Sequence, residues 1–424
     1  MIAPVTPIPT ASRTRIDLLQ IARMAVHVIV IGSAASPPLA NLGEAVLLLC
    51  LLASAELRAR LFALVPQPAV RWALVFFGLV TLAVLWSVGT PEHAHTIWGG
   101  WRKILVLPIA MALFHTAAQK RALAVTLVCF MTLAAVLSAA SYFSDWQPMG
   151  ERGVILQFHM IQGMAGGVGM MAALALALFP AAAPVRAAPR ALFWLAALGI
   201  FLMVGAMTPG RSGYLVVVIC SLVLSWQWLR SSYARMALPA RVAGLLLPLL
   251  VVGGLAATPQ VQRLVTKASE EFGTWQNSDV NTSMGLRVYL WSNTVDLIRA
   301  RPLTGYGTGS FIDIYGAKVA GRTGMAGDVR GDPHNQFMKI WAEQGLAGLL
   351  IFATFIVALL RAPASQPWRA LAMGPVLAWC VTSLASSHFS MFSEGTFLYA
   401  WCGAMLGLEW SSDTGVDSGD PAEA

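Results

Sequence analysis

The chain has 424 residues, of which 57% are hydrophobic and only 11% are charged, and its mean hydropathy is +0.67. A soluble globular protein carries roughly 25% charged residues, so this composition excludes an ordinary soluble fold. The net charge of +8 is not concentrated in a Lys- or Arg-rich run, which argues against a nucleic-acid-binding protein. Repeated apolar runs of about 17–25 residues predict an all-α polytopic membrane protein.

Twelve transmembrane helices are predicted, with one long polar loop between the ninth and the tenth. This gives an N-terminal membrane region (1–257), the polar loop (258–335), a C-terminal three-helix membrane region (336–410) and a disordered cytoplasmic tail (411–424). In chain order the predicted spans are 18–34, 42–56, 71–88, 97–115, 121–142, 155–179, 191–208, 212–229, 241–257, 336–360, 369–387 and 395–410.

Lys and Arg concentrate in alternate short loops, which predicts that those loops are cytoplasmic. The short loops of the other set hold only Arg152 and Arg211. Both termini are therefore expected in the cytoplasm, with the 258–335 loop on the opposite side. The five cysteines all fall within predicted spans, so no disulfide framework is indicated.

Arginines on the outer side are the first candidates for an anion site. Arg211 lies in a Pro-Gly turn before the eighth span, where free backbone N–H groups can also bind a phosphate. Arg287 lies on a helix expected to begin at Ser283 and to run to about Arg299. The alternatives are an interfacial anchor for Arg211 and a solvated side chain for Arg287.

Further outer-side cations are Arg102 and Lys103, which follow two tryptophans at the outer end of the fourth span, and Arg152 in a neighbouring loop. They are expected to help neutralise a pyrophosphate, with anchoring to anionic head groups as the alternative. The Gly-rich segment 302–311 is by itself only a weak indication of phosphate binding.

The end of the polar loop carries the candidate base. Asp332 and Pro333 predict an N-cap and a first helical position, which places His334 and Asn335 in the opening turn of a membrane helix. Imidazole titrates near pH 6.5, so His334 can accept a proton at ordinary pH. The alternative is that His334 only caps the helix. The aspartates of the loop lack metal-ligand spacing, so a metal-independent site is expected.

These motifs together resemble the O-antigen ligase and O-antigen polymerase superfamily. The segment PHNQFMKIWAEQGLAGLL is similar to its signature, in which the outer loop ends in His-Asn and a Glu-x-Gly-x-x-Gly helix follows. RPLTGYGTGSF resembles its Pro-x-x-Gly-Tyr-Gly-x-Gly-Ser-Phe element. Gly210-Arg211-Ser212 resembles its Ser-Arg-Gly turn with both flanking residues changed, and Arg287 falls at the family's Arg. The resemblance covers nearly the whole chain but does not separate the members.

The resemblance implies a GT-C-like glycosyltransferase in the inner membrane of a Gram-negative bacterium, acting as a monomer without a cofactor or metal. It would transfer O-antigen from undecaprenyl pyrophosphate to a sugar hydroxyl of lipid A–core at the periplasmic face. His334 is the implied general base, and Arg211 and Arg287 are the catalytic arginines at the pyrophosphate. Substrate-binding roles are expected for Arg102, Lys103, Arg152, Asn335 and Tyr306.

Other functions remain open at this point. An O-antigen polymerase and a protein O-oligosaccharyltransferase share the motifs, although the short sequence after the signature loop argues against the latter. A secondary transporter is the alternative from a different class, but it should show internal repeats and charges near the bilayer midplane. The sequence shows no clear repeat, and its unusual charges lie at the outer face. A ligase is therefore preferred.

Overall fold

The computed structural model describes residues 17–179, 188–273 and 283–408. The predicted tail (411–424) lies outside this part of the chain. The described residues contain helices and connecting loops but no strand. The helices are α1 (Leu18–Ala35), α2 (Pro37–Ala53), α3 (Ala55–Leu64), α4 (Pro68–Leu82), α5 (Pro91–Trp101), α6 (Val106–Leu113), α7 (Ala117–Tyr142), α8 (His159–Leu178), α9 (Ala188–Leu202), α10 (Arg211–Ser232), α11 (Leu238–Ala256), α12 (Pro259–Gly273), α13 (Ser283–Ala300), α14 (Phe311–Val319), α15 (Gln336–Arg361), α16 (Trp368–Thr382) and α17 (Phe392–Leu406).

The helical membrane architecture agrees with the prediction. Within the described ranges, seven helices are long and apolar enough to cross a membrane: α1, α7, α8, α9 with its following π turn, α10, α11 and α15. The pair α2 and α3, bent by 97°, brings the number to eight if it is one span. The count of twelve spans and the GT-C-like architecture remain predictions.

The fourth predicted span, 97–115, is wrong as a single helix. Helix α5 ends at Trp101, a 3-10 turn covers Arg102–Leu105, and α6 starts at Val106. Pro108 has no N–H and its ring would clash with the carbonyl four residues earlier, so it is tolerated only in the first turn of a helix. The helix therefore restarts just before this proline.

Helix α15 is also broken, although the sequence predicted one continuous span over 336–360. Gly345 has φ 70° and ψ −172°, a backbone conformation essentially restricted to glycine. The break exposes carbonyl groups that the 302–311 segment then satisfies: the N–H groups of Tyr306 and Gly307 donate to Ala342 O and Glu343 O at 2.9 and 2.8 Å. Gly345 therefore ends one helical segment within α15.

The Gly-rich segment 302–311 packs tightly between α15 and the α4–α5 connection. Gly305, Gly307 and Gly309 have φ values of 64°, 91° and 78°. A Cβ on Gly307 would lie 2.2 Å from Ser87 Cα, and one on Gly309 would lie 2.5 Å from Ala94 Cα. Close backbone approach therefore explains these glycines, without a phosphate.

The loops predicted to face outward contact one another at one end of the helices. Val88 N–H donates to Tyr306 O at 3.0 Å, which joins the α4–α5 loop to the polar loop. Ser393 Oγ donates to Gln157 Oε1 at 3.0 Å, which joins the start of α17 to the α7–α8 loop. Residues distant in sequence are thereby gathered at this end, while its side of the membrane remains a prediction.

Replacing Gly345 with Ala should destabilise the protein. The new Cβ would lie 2.1 Å from Leu303 O, and the backbone strain alone costs on the order of 1–3 kcal/mol. We expect a lower midpoint of thermal unfolding in detergent. Gly199→Ala in α9, where a Cβ meets nothing within 4 Å, is the matched control and should leave the midpoint unchanged or raised. Equal midpoints for both variants would contradict the predicted role.

Candidate functional site

Helix α15 begins one turn later than the sequence predicted. Its N-cap is Asn335, whose Oδ1 accepts hydrogen bonds from the N–H groups of Phe337 and Met338 at 3.1 Å each. The predicted N-cap Asp332 and first helical residue Pro333 are therefore wrong. Asn335 caps the helix because it lies directly before it, where its side chain reaches the free N–H groups of the first turn.

His334 lies in the turn before α15 and not in its first turn. Its φ of 53° is in the left-handed region, which costs an L-residue roughly 1–2 kcal/mol. Its N–H donates to Asp332 Oδ1 at 2.6 Å, and the Trp291 indole N–H holds the turn through Pro333 O at 3.1 Å. Among the described residues, none hydrogen-bonds to the imidazole nitrogens of the half-buried His334. The ring is available to a substrate.

Asp332 connects this turn to two other elements. Its Oδ1 also accepts a hydrogen bond from Ser387 Oγ at 2.9 Å, in the α16–α17 loop. Its Oδ2 lies 3.3 Å from Lys339 Nζ, in the first turn of α15, and the Lys339 side chain is only 8% exposed. One carboxylate therefore fixes the position of His334 relative to both α15 and the α16–α17 loop.

The environment of His334 keeps its imidazole neutral. Burial is the largest cause that lowers its pKa below the ordinary 6.5, and the positive charges of Arg287, Arg330 and Lys339 lower it further. Asp332 acts in the opposite direction but does not outweigh them. At pH 7 the ring therefore holds a free lone pair, as a general base requires.

A cavity of about 540 Å³ is lined by Arg211, Arg263 and Arg287, of which Arg287 is near enough to His334 to lower its pKa; we term it the arginine cavity. Arg211 is the first residue of α10, where backbone N–H groups have no intrahelical partner. Within the described ranges, no carboxylate lies within ion-pair distance of Arg211. Guanidinium groups and a helix N-terminus together favour an anion such as a phosphate.

The structure brings the three predicted catalytic residues together. Arg211 and Arg287 line the same cavity, and Arg287 is close enough to His334 to lower its pKa. A half-buried imidazole and an arginine-lined cavity are thus neighbours, although the residues come from α10, α13 and the turn before α15.

Arg102 and Lys103 lie elsewhere. Both line a separate, largely apolar cavity of about 670 Å³ formed with α2, α3 and α6. Arg102 is 4.0 Å from a Glu44 carboxylate oxygen, and Lys103 Nζ donates to Ser390 O at 2.8 Å. The structure does not bring them to the arginine cavity.

Arg152 borders a third cavity, of about 660 Å³, which adjoins the arginine cavity at Arg263. It lies 3.5 Å from Asp145 and is well exposed. Tyr306 lies beside the break in α15, with the Arg301 guanidinium 4.8 Å from its ring centroid.

The amide of Asn335 is engaged at both ends. Its Oδ1 caps α15, and its Nδ2 donates to Leu384 O at 3.1 Å. These contacts hold the helix start against the α16–α17 loop. The predicted substrate-binding role of Asn335 is not tested by them.

A family model described as Wzy_C, O-antigen ligase, matches residues 191–353. The matched segment contains Arg211, Arg287 and His334. This match supports the O-antigen ligase and polymerase superfamily for the chain. No curated protein matches the chain.

The match also supports a coarse function. The family suggests a glycosyl-transferring enzyme of the O-antigen ligase or polymerase kind, and the apolar helices suggest a multi-pass membrane protein. The family implies substrates of the lipid-linked polysaccharide and lipid A–core type in general.

Sequence reasoning did not select Arg263, Ser212, His388 or Glu394, which the structure places in or behind the arginine cavity. Arg263 lies on α12, in whose sequence apolar residues recur at the three- to four-residue spacing of an amphipathic helix. His388 precedes α17, and Glu394 lies in the first turn of that helix, six residues further along the chain. The loop between α16 and α17 has no Lys or Arg, so charge does not single out this pair in the sequence.

The pKa of His334 should respond in opposite directions to two substitutions. Arg330→Gln removes a positive charge that lowers it, so the pKa should rise, whereas Asp332→Asn removes the charge that raises it, so the pKa should fall. The measurement is a histidine NMR titration of detergent-solubilised protein, with His334→Gln identifying the resonance. A shift in the same direction for both variants would rule out the described electrostatics.

Proposed function

We propose that the protein is an O-antigen ligase that transfers O-antigen polysaccharide from undecaprenyl pyrophosphate to a sugar hydroxyl of lipid A–core, at the periplasmic side of the inner membrane. The observation that carries the proposal is the placement of the neutral, accessible His334 imidazole next to a cavity lined by three arginines. Proton removal from an acceptor and stabilisation of an anionic leaving group are the two tasks of such a transfer.

In the proposed reaction, His334 takes the proton of the acceptor hydroxyl as its oxygen attacks the anomeric carbon. Asp332 holds the turn through the His334 N–H and supplies a negative charge that stabilises the imidazolium formed in this step. General-base catalysis of this kind contributes roughly 10²–10⁴-fold to the rate.

The bond from the anomeric carbon to the pyrophosphate oxygen breaks in the same step, and its electron pair stays with the pyrophosphate. Arg211 and Arg287 then stabilise the charge that develops on the leaving group. Fixed cations in a partly water-excluded cleft are usually the largest catalytic contribution, and guanidinium groups bind phosphates through two parallel hydrogen bonds.

A single displacement inverts the anomeric centre. A retaining mechanism needs a carboxylate free to attack the anomeric carbon. Asp332 is the carboxylate nearest to His334, but its oxygens are engaged by Ser387, Lys339 and the His334 N–H. These contacts support inversion as part of the proposal.

His334→Ala should abolish ligation in cells while leaving folding and membrane insertion intact. Lipopolysaccharide on a gel should show core without O-antigen, together with accumulated lipid-linked polymer. The control is His95→Ala, which changes an exposed histidine on α5. Core carrying a single repeat would instead identify a polymerase, and a normal ladder would show that His334 is not the base.

Arg287→Lys should impair transfer in the purified enzyme by roughly tenfold or more, because lysine keeps the charge but loses the two-pronged phosphate contact. Arg299→Lys is the matched control: it lies on the same helix, its side chain is 77% exposed, and it pairs with Asp296. Full activity of Arg287→Lys would assign this arginine a structural role.

The same assay in EDTA tests the expected metal independence, and activity that returns only with a divalent ion would contradict it.

A further inference from the structure

A line of three polar side chains runs from the arginine cavity into the protein interior. Ser212, the second residue of α10, lines the cavity, and its Oγ lies 3.3 Å from His388 Nε2. On the other side of the ring, His388 Nδ1 lies 3.9 Å from Glu394 Oε1, at the start of α17. The side chains of His388 and Glu394 are 0% and 1% exposed.

Such a buried imidazole and carboxylate are costly to place among apolar side chains unless they are paired. In the described part of the chain, neither His388 Nδ1 nor Glu394 Oε1 has a hydrogen-bond partner, yet they face each other. A movement of about 1 Å brings them to hydrogen-bonding distance. After this small movement, Glu394, His388 and Ser212 form a continuous chain of hydrogen bonds that ends at the arginine cavity.

The surroundings keep His388 uncharged. Burial lowers its pKa to about 4, although the nearby Asp332 acts to raise it. Burial raises the pKa of Glu394 to about 7, although the nearby positive charge of Lys103 acts to lower it. A neutral ring has one N–H donor and one acceptor nitrogen, so the choice of tautomer sets the direction of the hydrogen bond to Ser212.

We propose that Ser212 binds a phosphate oxygen of the leaving group, and that His388 and Glu394 are positioning residues that orient its hydroxyl toward the arginine cavity. His388 Nε2–H donates to Ser212 Oγ, which leaves the Ser212 O–H to donate to the anion held by Arg211 and Arg287. Glu394, in its acid form, donates to His388 Nδ1. The proposal rests on the proposed function, since the anion is its pyrophosphate.

A hydroxyl held in this way adds what the arginines lack. Guanidinium groups on long side chains provide charge, whereas Ser212 is a short donor fixed by its helix and by a buried partner. Preorganised donors of this kind are worth more than mobile ones, because they are not reoriented when charge develops. Ser212 also stands at a position where this chain departs from the family's Ser-Arg-Gly turn.

The test measures binding of inorganic pyrophosphate to the purified, detergent-solubilised protein by calorimetry, so that no transfer is required. Ser212→Ala should weaken binding roughly tenfold or more, as expected for a lost hydrogen bond to a charged group. Ser212→Thr, which keeps the hydroxyl, should bind within about twofold of the wild type by the same principle. The control Ser221→Ala, on the same helix and bonded only to Val217 O, should leave binding unchanged.

A double-mutant cycle separates positioning from a merely structural role. If His388 acts through Ser212, then Ser212→Ala combined with His388→Gln should bind no more weakly than Ser212→Ala alone. Additive losses would overturn the positioning role of His388. Glu394→Gln, whose amide N–H also donates to Nδ1, should retain binding, and a loss as large as that of His388→Gln would overturn the assigned donor direction.

The Arg211→Gln variant distinguishes this proposal from the proposed function. Loss of binding in Arg211→Gln with normal binding in Ser212→Ala would reject the role of Ser212 while leaving the arginine cavity as the anion site. Absence of pyrophosphate binding in the wild type would reject both.

Discussion

The Asp332 carboxylate is the interaction on which the site depends. It accepts hydrogen bonds from the His334 N–H and from Ser387, and it pairs with the buried ammonium of Lys339. Charges near the membrane are stable only with partners. This one carboxylate is the charged partner of Lys339 and also accepts hydrogen bonds from two other elements, the turn at His334 and the α16–α17 loop. It also holds His334 in a left-handed backbone conformation that an L-residue adopts only when its surroundings impose it. Asp332 therefore both fixes the position of the proposed base and neutralises a buried cation, and the loss of Asp332 would disturb both.

The glycine break in α15 makes this arrangement possible. A helix that ran straight through Gly345 would leave no free carbonyls for the 302–311 segment, which now pairs with Ala342 and Glu343. That segment connects the polar loop to the α4–α5 loop through Tyr306 and Val88. The polar loop is thus attached to the helices at two places, by residues 302–311 at the break in α15 and by Asp332 near the end of the loop. Its Arg287, on α13, lines the same cavity as Arg211 at the start of α10.

Much of the fold could be predicted from sequence, because the positions and ends of membrane helices depend on local composition. The apolar runs predicted the helical membrane architecture, and Arg211 and Arg287 do line one cavity, with Arg287 near His334. The failures have physical causes. Asn335 is the N-cap although Asp332 was predicted, because both residue types can cap a helix. The contacts of Asp332 with Ser387 and Lys339, which the sequence does not show, decide between them. The break at Gly345 could not be predicted from the local sequence, because the backbone conformation of Gly345 is set by contacts with residues some forty positions away. His388 and Glu394 were overlooked because they touch the site through Ser212, which no sequence spacing reveals.

The electrostatics of the site also give the proposed reaction an order. In the free protein, burial and the positive charge of Arg287 keep the pKa of His334 low, so the imidazole is neutral but only a weak base. A pyrophosphate bound between Arg211 and Arg287 neutralises part of that positive charge, which must raise the pKa of His334 and make it a stronger base. In the proposed reaction the same anion is the leaving group, so its binding prepares His334 for the acceptor hydroxyl. Departure of the pyrophosphate after the proposed transfer restores the positive field, which lowers the pKa of His334 again and favours release of the proton that it has taken up. In this proposal, donor binding and proton transfer are coupled through charge.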